Sequence, residues 1–159
     1  RAKSVIFKQR DDDYCEDITR KIKTAGLEPR VHICAEFVEA DEYMKASDIY
    51  VMPQHTEGLG TPMLEAIACG LPVIANETEA AFAQWVEDGK NGYLCAMEPK
   101  DWTAAIQKAL EIPAETLQKQ SKVIREITSV QRCDERYKKL IETLVQMPRD
   151  EELDIKNVV

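Results

Sequence analysis

The sequence predicts an α/β fold in which helices cover both faces of a parallel sheet. Short β-branched runs alternate with helical segments along most of the 159 residues, which is the pattern of a sheet built from strand–helix units. Two runs, residues 49–52 and 72–75, are continuously apolar, as expected for strands that are buried on both faces. We therefore expect one domain over residues 1–147, because a chain of this length has room for one hydrophobic core.

The first elements follow one another in a regular order. Residues 5–8 are predicted as a strand, and residues 15–25 as a helix that is closed by a glycine. The next β-branched run covers residues 31–34. A short helix over 42–46 then leads to the strand at 49–52, which a proline stops because it has no N–H for a sheet ladder.

The second half of the chain alternates in the same way and then becomes helical. Pro62 suits the first position of a helix over 62–69, because its missing N–H would be unsatisfied there in any case. A strand at 72–75, a helix at 80–87 and a strand at 92–96 follow. Three further helices are predicted over residues 101–111, 114–128 and 131–146.

An apolar stripe runs along the last two helices. Its members are Ile124, Ile127, Tyr137, Leu140, Ile141 and Leu144. Their helical spacing predicts that both helices close the core of the same domain. Residues 148–159 are charged and lack periodicity, so we expect them to form a loose tail.

Charge and composition exclude several classes of partner. The formal net charge is −8, and no basic stripe is present that could displace counterions from a nucleic acid. A small anionic ligand is still compatible with this charge, because backbone amides alone can hold one. No apolar run reaches the roughly 18 residues of a membrane span, so none is expected.

The cysteines and histidines indicate neither disulfides nor a metal. The five cysteines are widely spaced and form no Cys-x-x-Cys pair, so we interpret them as small buried side chains in a reducing compartment, the cytoplasm. His32 and His55 have no second ligand nearby in sequence, so no metal site is expected.

Glycines and a helix start follow the strand at 49–52, at the point where open parallel sheets bind ligands. Gly58 and Gly60 remove side chains where the backbone turns and where a ligand approaches closely. Thr61 is the expected N-cap of the next helix. The free amides near Gly60 and Thr61, with the positive end of the helix behind them, predict a phosphate site.

Two glutamates flank this predicted phosphate site. Glu65 lies one turn into the helix, where its carboxylate is suited to accept hydrogen bonds from the vicinal hydroxyls of a ribose. Glu57 lies on the loop before the glycines, within reach of a second sugar beyond the phosphates. Taken singly, each residue is more simply a turn glycine or a surface charge. Their combination after a buried strand favours a binding site.

The segment that carries these residues resembles a known signature. From Glu57 onward it reads EGLGTPMLEAIACGLPVIA, with Glu57 and Glu65 separated by seven residues. It is similar to the donor-site signature of the family-four, or group 1, glycosyltransferases of the GT-B fold. Residues 46–53 and 86–94 are similar to the family's flanking strand and turn, so the resemblance covers roughly residues 27–112.

The resemblance implies a retaining transferase and a role for each matching residue. The chain would be the Rossmann-like C-terminal half of a GT-B enzyme, with extra helices at its C-terminus, that binds a nucleoside diphosphate sugar. Glu57 would act on the transferred sugar as the catalytic residue, and Glu65 would hold the ribose. The implied donor-binding residues are Gly58, Leu59, Gly60, Thr61, Glu65, Phe37 and Val38. No metal or other cofactor is implied, since amides and basic side chains neutralise the leaving diphosphate.

The sequence also departs from the family pattern. Gln54 stands where the family usually has a serine, and the segment 37–48 is shorter than usual. The family's first strand–helix unit of this domain, with an arginine and a lysine for the diphosphate, has no match in this chain. The acceptor-binding N-terminal domain is likewise unmatched. We therefore expect the isolated chain to bind a donor without transferring its sugar.

Two other interpretations stay open at this level. Gly58-x-Gly60 followed by a helix is also part of a dinucleotide fingerprint, with Glu77 near the position of a ribose-binding acid. That fingerprint has a third glycine, where Met63 stands here, and it gives Pro62 no role. The remaining alternative is a non-catalytic module that binds a nucleotide sugar or serves as a scaffold.

Overall fold

The structure of the chain, a computed structural model, describes residues 4–7, 12–34, 39–55 and 58–148. The contacts within the chain divide it into two units, Arg1–Glu39 and Ala40–Val159. The predicted strand at 5–8 extends to one residue outside the described ranges, and the predicted tail lies outside them from residue 149 onward.

The first unit is a strand–helix–strand motif. It comprises β1 (Ser4–Phe7), α1 (Asp12–Thr24) and β2 (Val31–Cys34), and the two strands pair in parallel. Helix α1 ends as predicted, because Gly26 adopts a left-handed conformation and its N–H donates to the Lys23 carbonyl at 3.0 Å.

The second unit contains a parallel sheet of three strands. They are β3 (Tyr50–Met52), β4 (Val73–Asn76) and β5 (Gly92–Cys95), and β4 lies in the middle. All pairings are parallel, with Met52 opposite Ala75. The carboxyl ends of the three strands therefore lie along one edge of the sheet.

In the part of the second unit that the structure describes, there are six helices. They are α2 (Ala40–Lys45), α3 (Thr61–Ala68), α4 (Ala80–Ala83), α5 (Pro99–Ala109), α6 (Ala114–Ile127) and α7 (Val130–Gln146). Each corresponds to a helix predicted from the sequence.

Helices cover both faces of the sheet, as predicted. Val73 and Ala75 of β4 join one buried cluster, which contains side chains of α2, α3, α4 and α6. Ile74, between them, joins a second cluster with Ala105 and Ala109 of α5. Because side chains alternate along a strand, the two clusters lie on opposite faces. The α/β fold with a parallel sheet is confirmed.

Helix α4 is shorter than the predicted 80–87 because a buried asparagine replaces its last turn. The Asn91 side chain accepts a hydrogen bond from the Glu87 amide at 2.8 Å and donates one to the Trp85 carbonyl at 2.8 Å. These two backbone groups are thereby satisfied outside a helix, and the chain turns toward β5 instead.

Strand β3 was expected to be buried on both faces, but only one of its three residues is fully buried, and Tyr50 is partly exposed. Met52 is buried, whereas Val51 is 39% exposed. Within the described residues β3 pairs with β4 alone, so it is an outer strand of its sheet. Strand β4, the other continuously apolar run, is buried throughout.

The apolar stripe of the last two helices divides between core and surface. Ile124 of α6 is 4% exposed, and Ile127 packs partly buried against the core. In α7 no residue is buried, and Tyr137 and Ile141 are 67% and 57% exposed. The prediction that both helices close the core is therefore right for α6 and wrong for α7. Helical spacing alone does not distinguish a stripe that packs from one that remains exposed.

The cysteines differ more in environment than expected. No disulfide joins any of the five, all of which the structure describes; Cys95 is the one that is buried, and Cys133 is exposed. Burial raises the pKa of the Cys95 thiol. Among the helices of the described ranges, none combines the length and apolar character that a membrane span requires.

Candidate functional site

The loop that follows β3 is held at the carboxyl edge of the sheet. The side-chain amide of Asn76, the last residue of β4, donates a hydrogen bond to the Gln54 carbonyl at 3.2 Å. The loop thus begins against the end of the neighbouring strand. This is the edge where ligands bind in open α/β sheets.

The N-cap of helix α3 is Gly60, not Thr61 as the sequence predicted. Gly60 is the N-cap and has φ 78°, a left-handed conformation that a glycine adopts without steric cost. Its carbonyl accepts the first helical hydrogen bonds, from Met63 at 2.9 Å and Leu64 at 3.1 Å. Thr61 and Pro62 are therefore the first two helical residues, and no side chain caps this end.

The amides at this helix start lack partners among the described residues, and two of the three belong to exposed residues, whereas Gly60 is buried. Leu59, Gly60 and Thr61 donate no backbone hydrogen bond to another residue in the described ranges. Leu59 and Thr61 are exposed, and the first turn of α3 carries no acidic residue that would compete for its positive end. Unpaired amides at a helix N-terminus are a binding site for a phosphate group.

A buried phenylalanine supports the turn at Gly60. A Cβ atom at Gly60 would lie 3.1 Å from Cε1 of Phe82 and 3.2 Å from Cε of Met63. Phe82, in α4, is fully buried. The absence of a side chain at Gly60 therefore lets the loop rest directly on the core.

The Glu65 carboxylate lies on the exposed face of α3. Thr61 and Glu65 are four residues apart on a helix, so they share one face. The opposite face packs into the core through Met63, Leu64, Ala66 and Ile67. Glu65 is exposed, and its side chain forms no hydrogen bond or ion pair within the described part of the chain. It is therefore free to accept hydrogen bonds from a ligand near the amides.

The structure thus brings together five of the predicted site residues: Gly58, Leu59, Gly60, Thr61 and Glu65. Glu57, Phe37 and Val38 lie outside the described residues.

Metal-ligating side chains do not gather in the described ranges. No group of three or more His, Cys, Asp or Glu that could hold a metal ion occurs there. Binding without a metal stays a prediction from the resemblance.

Two residues near the site were not singled out from the sequence. The sequence contained a feature that could have pointed to Asn76, because it is a polar residue at the end of a buried strand. Phe82 had none, since its place under Gly60 depends on how α4 packs against α3.

The dinucleotide interpretation fits this geometry poorly. Its third glycine would let a helix approach a strand closely, but Met63 at that position is fully buried in the core. Glu77 is exposed, and its amide donates to the Cys95 carbonyl at 3.0 Å.

The chain matches a family of known proteins. The model of the family described as Glycosyl transferases group 1 matches residues 8–112, which is more than half of the chain. The lipopolysaccharide core biosynthesis mannosyltransferase LpsB of Rhizobium meliloti is 34% identical over 73 residues, covering 46% of this chain and 20% of that protein. The chain spans about a quarter or less of the length of the curated relatives it matches.

Solved structures of glycosyltransferases share its fold. Anabaena HepE, crystallised in complex with UDP, superposes with a TM-score of 0.75 at 22% identity, over 92% of this chain and 41% of that one. The C-terminal domain of the group 1 protein LpcC from Francisella tularensis superposes with a TM-score of 0.60 at 26% identity, over 82% and 70%. The partial coverage fits the C-terminal domain of a GT-B enzyme.

Proposed function

Because the chain belongs to the group 1 glycosyltransferases, we propose that it is the donor-binding domain of a retaining enzyme. The full protein would move a hexosyl group from a nucleoside diphosphate sugar to an acceptor such as a glycan or glycolipid. The observation that carries this proposal is the start of α3, where the exposed Leu59 and Thr61 have amides without a partner in the described residues. The exposed Glu65 carboxylate, also without a partner there, lies one turn further along the helix. HepE, a fold relative, was crystallised with UDP, which supports a nucleoside diphosphate as the ligand.

The two halves of this surface suit the two polar parts of a nucleoside diphosphate. The amides of Leu59, Gly60 and Thr61 would bind the diphosphate, and they would also stabilise the charge that develops on it as the sugar leaves. The Glu65 carboxylate would accept two charge-assisted hydrogen bonds from the ribose hydroxyls.

Glu57 is the proposed catalytic residue, on the strength of the family resemblance. It would orient the transferred sugar while the donor diphosphate assists both departure and attack on one face. Closure of an acceptor-binding N-terminal domain over the loop would supply the acceptor and exclude water. Donor binding without a metal and a cytoplasmic location remain part of the proposal.

A non-catalytic nucleotide-sugar module is the alternative that the same surface supports. It would bind the donor through Glu65 and the amides in the same way, so binding alone does not separate the two functions. Turnover by the full protein does.

Removing the ribose acceptor tests the binding site. The change Glu65→Ala should weaken UDP binding to the chain by about 1–3 kcal/mol, because two charge-assisted hydrogen bonds are lost. The fold should survive, since alanine is a good helix former. Glu115→Ala is a matched control, an exposed glutamate in the first turn of α6, and calorimetry should give it wild-type affinity. Equal affinities for both variants would remove Glu65 from the site.

Steady-state kinetics on the full-length enzyme test the catalytic assignment. Glu57→Ala should lower kcat by at least about tenfold and change nucleotide affinity little, because the proposed contact lies on the sugar and strengthens in the transition state. Glu65→Ala should instead weaken nucleotide affinity and change kcat little. An unchanged kcat for Glu57→Ala would exclude Glu57 from the mechanism.

A further inference from the structure

Asn76 has a fully buried side-chain amide, and both its N–H donor and its oxygen acceptor are hydrogen-bonded. Its Nδ2 donates to the Gln54 carbonyl at 3.2 Å. Its Oδ1 accepts from the Thr78 amide at 3.1 Å and from the Thr78 hydroxyl at 3.0 Å. A buried side chain with this set of partners has one orientation available to it. Asn76 therefore links the loop after β3 rigidly to the turn after β4.

The other end of the same loop rests on the same segment of chain. Gly60 lies against the ring of Phe82, in the helix that follows Asn76. Both ends of the stretch from Gln54 to Gly60 are thus fixed on the β4–α4 segment. Gln54 lies only four residues before Gly58 in the sequence, so the place of the Gln54 carbonyl limits where the backbone of Gly58 can lie.

We propose that Asn76 is a positioning residue for donor binding. Its hydrogen bond to Gln54 holds the loop so that the amides of Leu59, Gly60 and Thr61 already face the diphosphate before it binds. A loop ordered in advance loses less conformational entropy when the ligand arrives, so affinity rises without a new contact. This inference rests on the proposed function, because it takes the loop to be the donor loop.

The partners of Asn76 require a side chain that both donates and accepts a hydrogen bond. An amide offers a donor to Gln54 and an acceptor to Thr78 at the same time. The isosteric Asn76→Asp keeps the acceptor but places a second oxygen against the Gln54 carbonyl. Thr78→Val is the matched control, because it removes one hydrogen bond of Asn76 and leaves the bond to Gln54 intact.

The experiment measures UDP affinity by calorimetry on the folded chain and backbone order by ¹H–¹⁵N heteronuclear NOE. Asn76→Asp should weaken UDP binding about tenfold and lower the NOE of Gly58, whereas Thr78→Val should stay within about twofold of wild type. A side chain that only stabilised the fold would change the melting temperature and leave the affinity of the folded protein unaltered. If Asn76→Asp does not fold, the neutral Asn76→Ser, too short to reach Gln54, should give the same two changes.

Different results would contradict the positioning role of Asn76 and the proposed function. Wild-type affinity and a wild-type Gly58 NOE in the Asn76 variants would overturn the positioning role, whatever the wild type binds. A fall in affinity of equal size in Thr78→Val would overturn it as well. Absence of UDP binding to the wild-type chain would instead contradict the proposed function.

Discussion

Gly60 is subject to two separate constraints. Its φ of 78° lies in the left-handed region, where a side chain costs roughly 1–2 kcal/mol. A Cβ atom there would also lie 3.1 Å from the Phe82 ring, in a part of the core that has no spare room. Gly26, which follows α1, is subject only to the first constraint, because a Cβ atom there would meet nothing within 4 Å.

Gly70 provides the comparison within the same helix. It has φ 83°, but a Cβ atom there would meet nothing within 4 Å. Gly70→Ala should therefore lower the free energy of unfolding only by the cost of placing a side chain in the left-handed conformation. Gly60→Ala should lower it by about 1–3 kcal/mol more, because the added methyl group also overpacks the core. Denaturant unfolding of the two variants measures the difference. Equal losses would mean that Phe82 does not support the loop.

At this scale the sequence indicated the residues of the candidate site better than the residues that support them. Gly58, Gly60 and Glu65 follow from the turn and helix-start pattern. The N-cap was misplaced by one residue, because Thr61 has a capping side chain while the left-handed conformation at Gly60 depends on tertiary packing. Asn76 was missed because its partner Gln54, 22 residues away in sequence, becomes a neighbour only when two strands pair.

Helix α6 fixes the position of α3 from its C-terminal end. The Ser121 hydroxyl and the Arg125 Nε both donate to the Ala68 carbonyl, at 2.6 and 2.7 Å. The last carbonyls of a helix lack intrahelical partners, so this contact satisfies one of them. Because α3 carries the candidate site at its other end, the contact links α6 to the helix of the candidate site.

The apolar residues of α6 and α7 should contribute very differently to stability. Ile124→Ala removes a buried side chain and should lower the free energy of unfolding by about 2–5 kcal/mol. Ile141→Ala, at an exposed position of α7, should change it by no more than about 0.5 kcal/mol. Thermal or denaturant unfolding distinguishes the two. A large loss for Ile141→Ala would mean that α7 does close the core, as the sequence pattern alone suggested.

The sequence predicted the type of each helix and strand better than its length and its burial. Every predicted strand and helix is present, because alternation of apolar periodicities and Gly or Pro boundaries is a local property. The shortened α4 and the exposed Val51 depend on partners distant in sequence, namely Asn91 and the position of β3 in its sheet.

For the molecule as a whole, the chain covers only part of the transferases that share its fold. HepE is matched over 41% of its length, and it is the remainder of such an enzyme that would supply the acceptor and close the site. We therefore expect no measurable sugar transfer by the isolated chain, in an assay that follows UDP release in the presence of acceptor sugars. Transfer by this chain alone would show that a second domain is not needed.

The most direct test is an NMR titration of the ¹⁵N-labelled chain with nucleoside diphosphate sugars, with EDTA present, and in parallel with NAD. We expect the nucleotide sugars to bind weakly without a metal and to shift the amide signals of Leu59, Gly60 and Thr61 most, whereas NAD leaves them unchanged. Preferential binding of NAD, or nucleotide-sugar binding that leaves these three amides unperturbed, would contradict the assignment of the α3 start as the donor site.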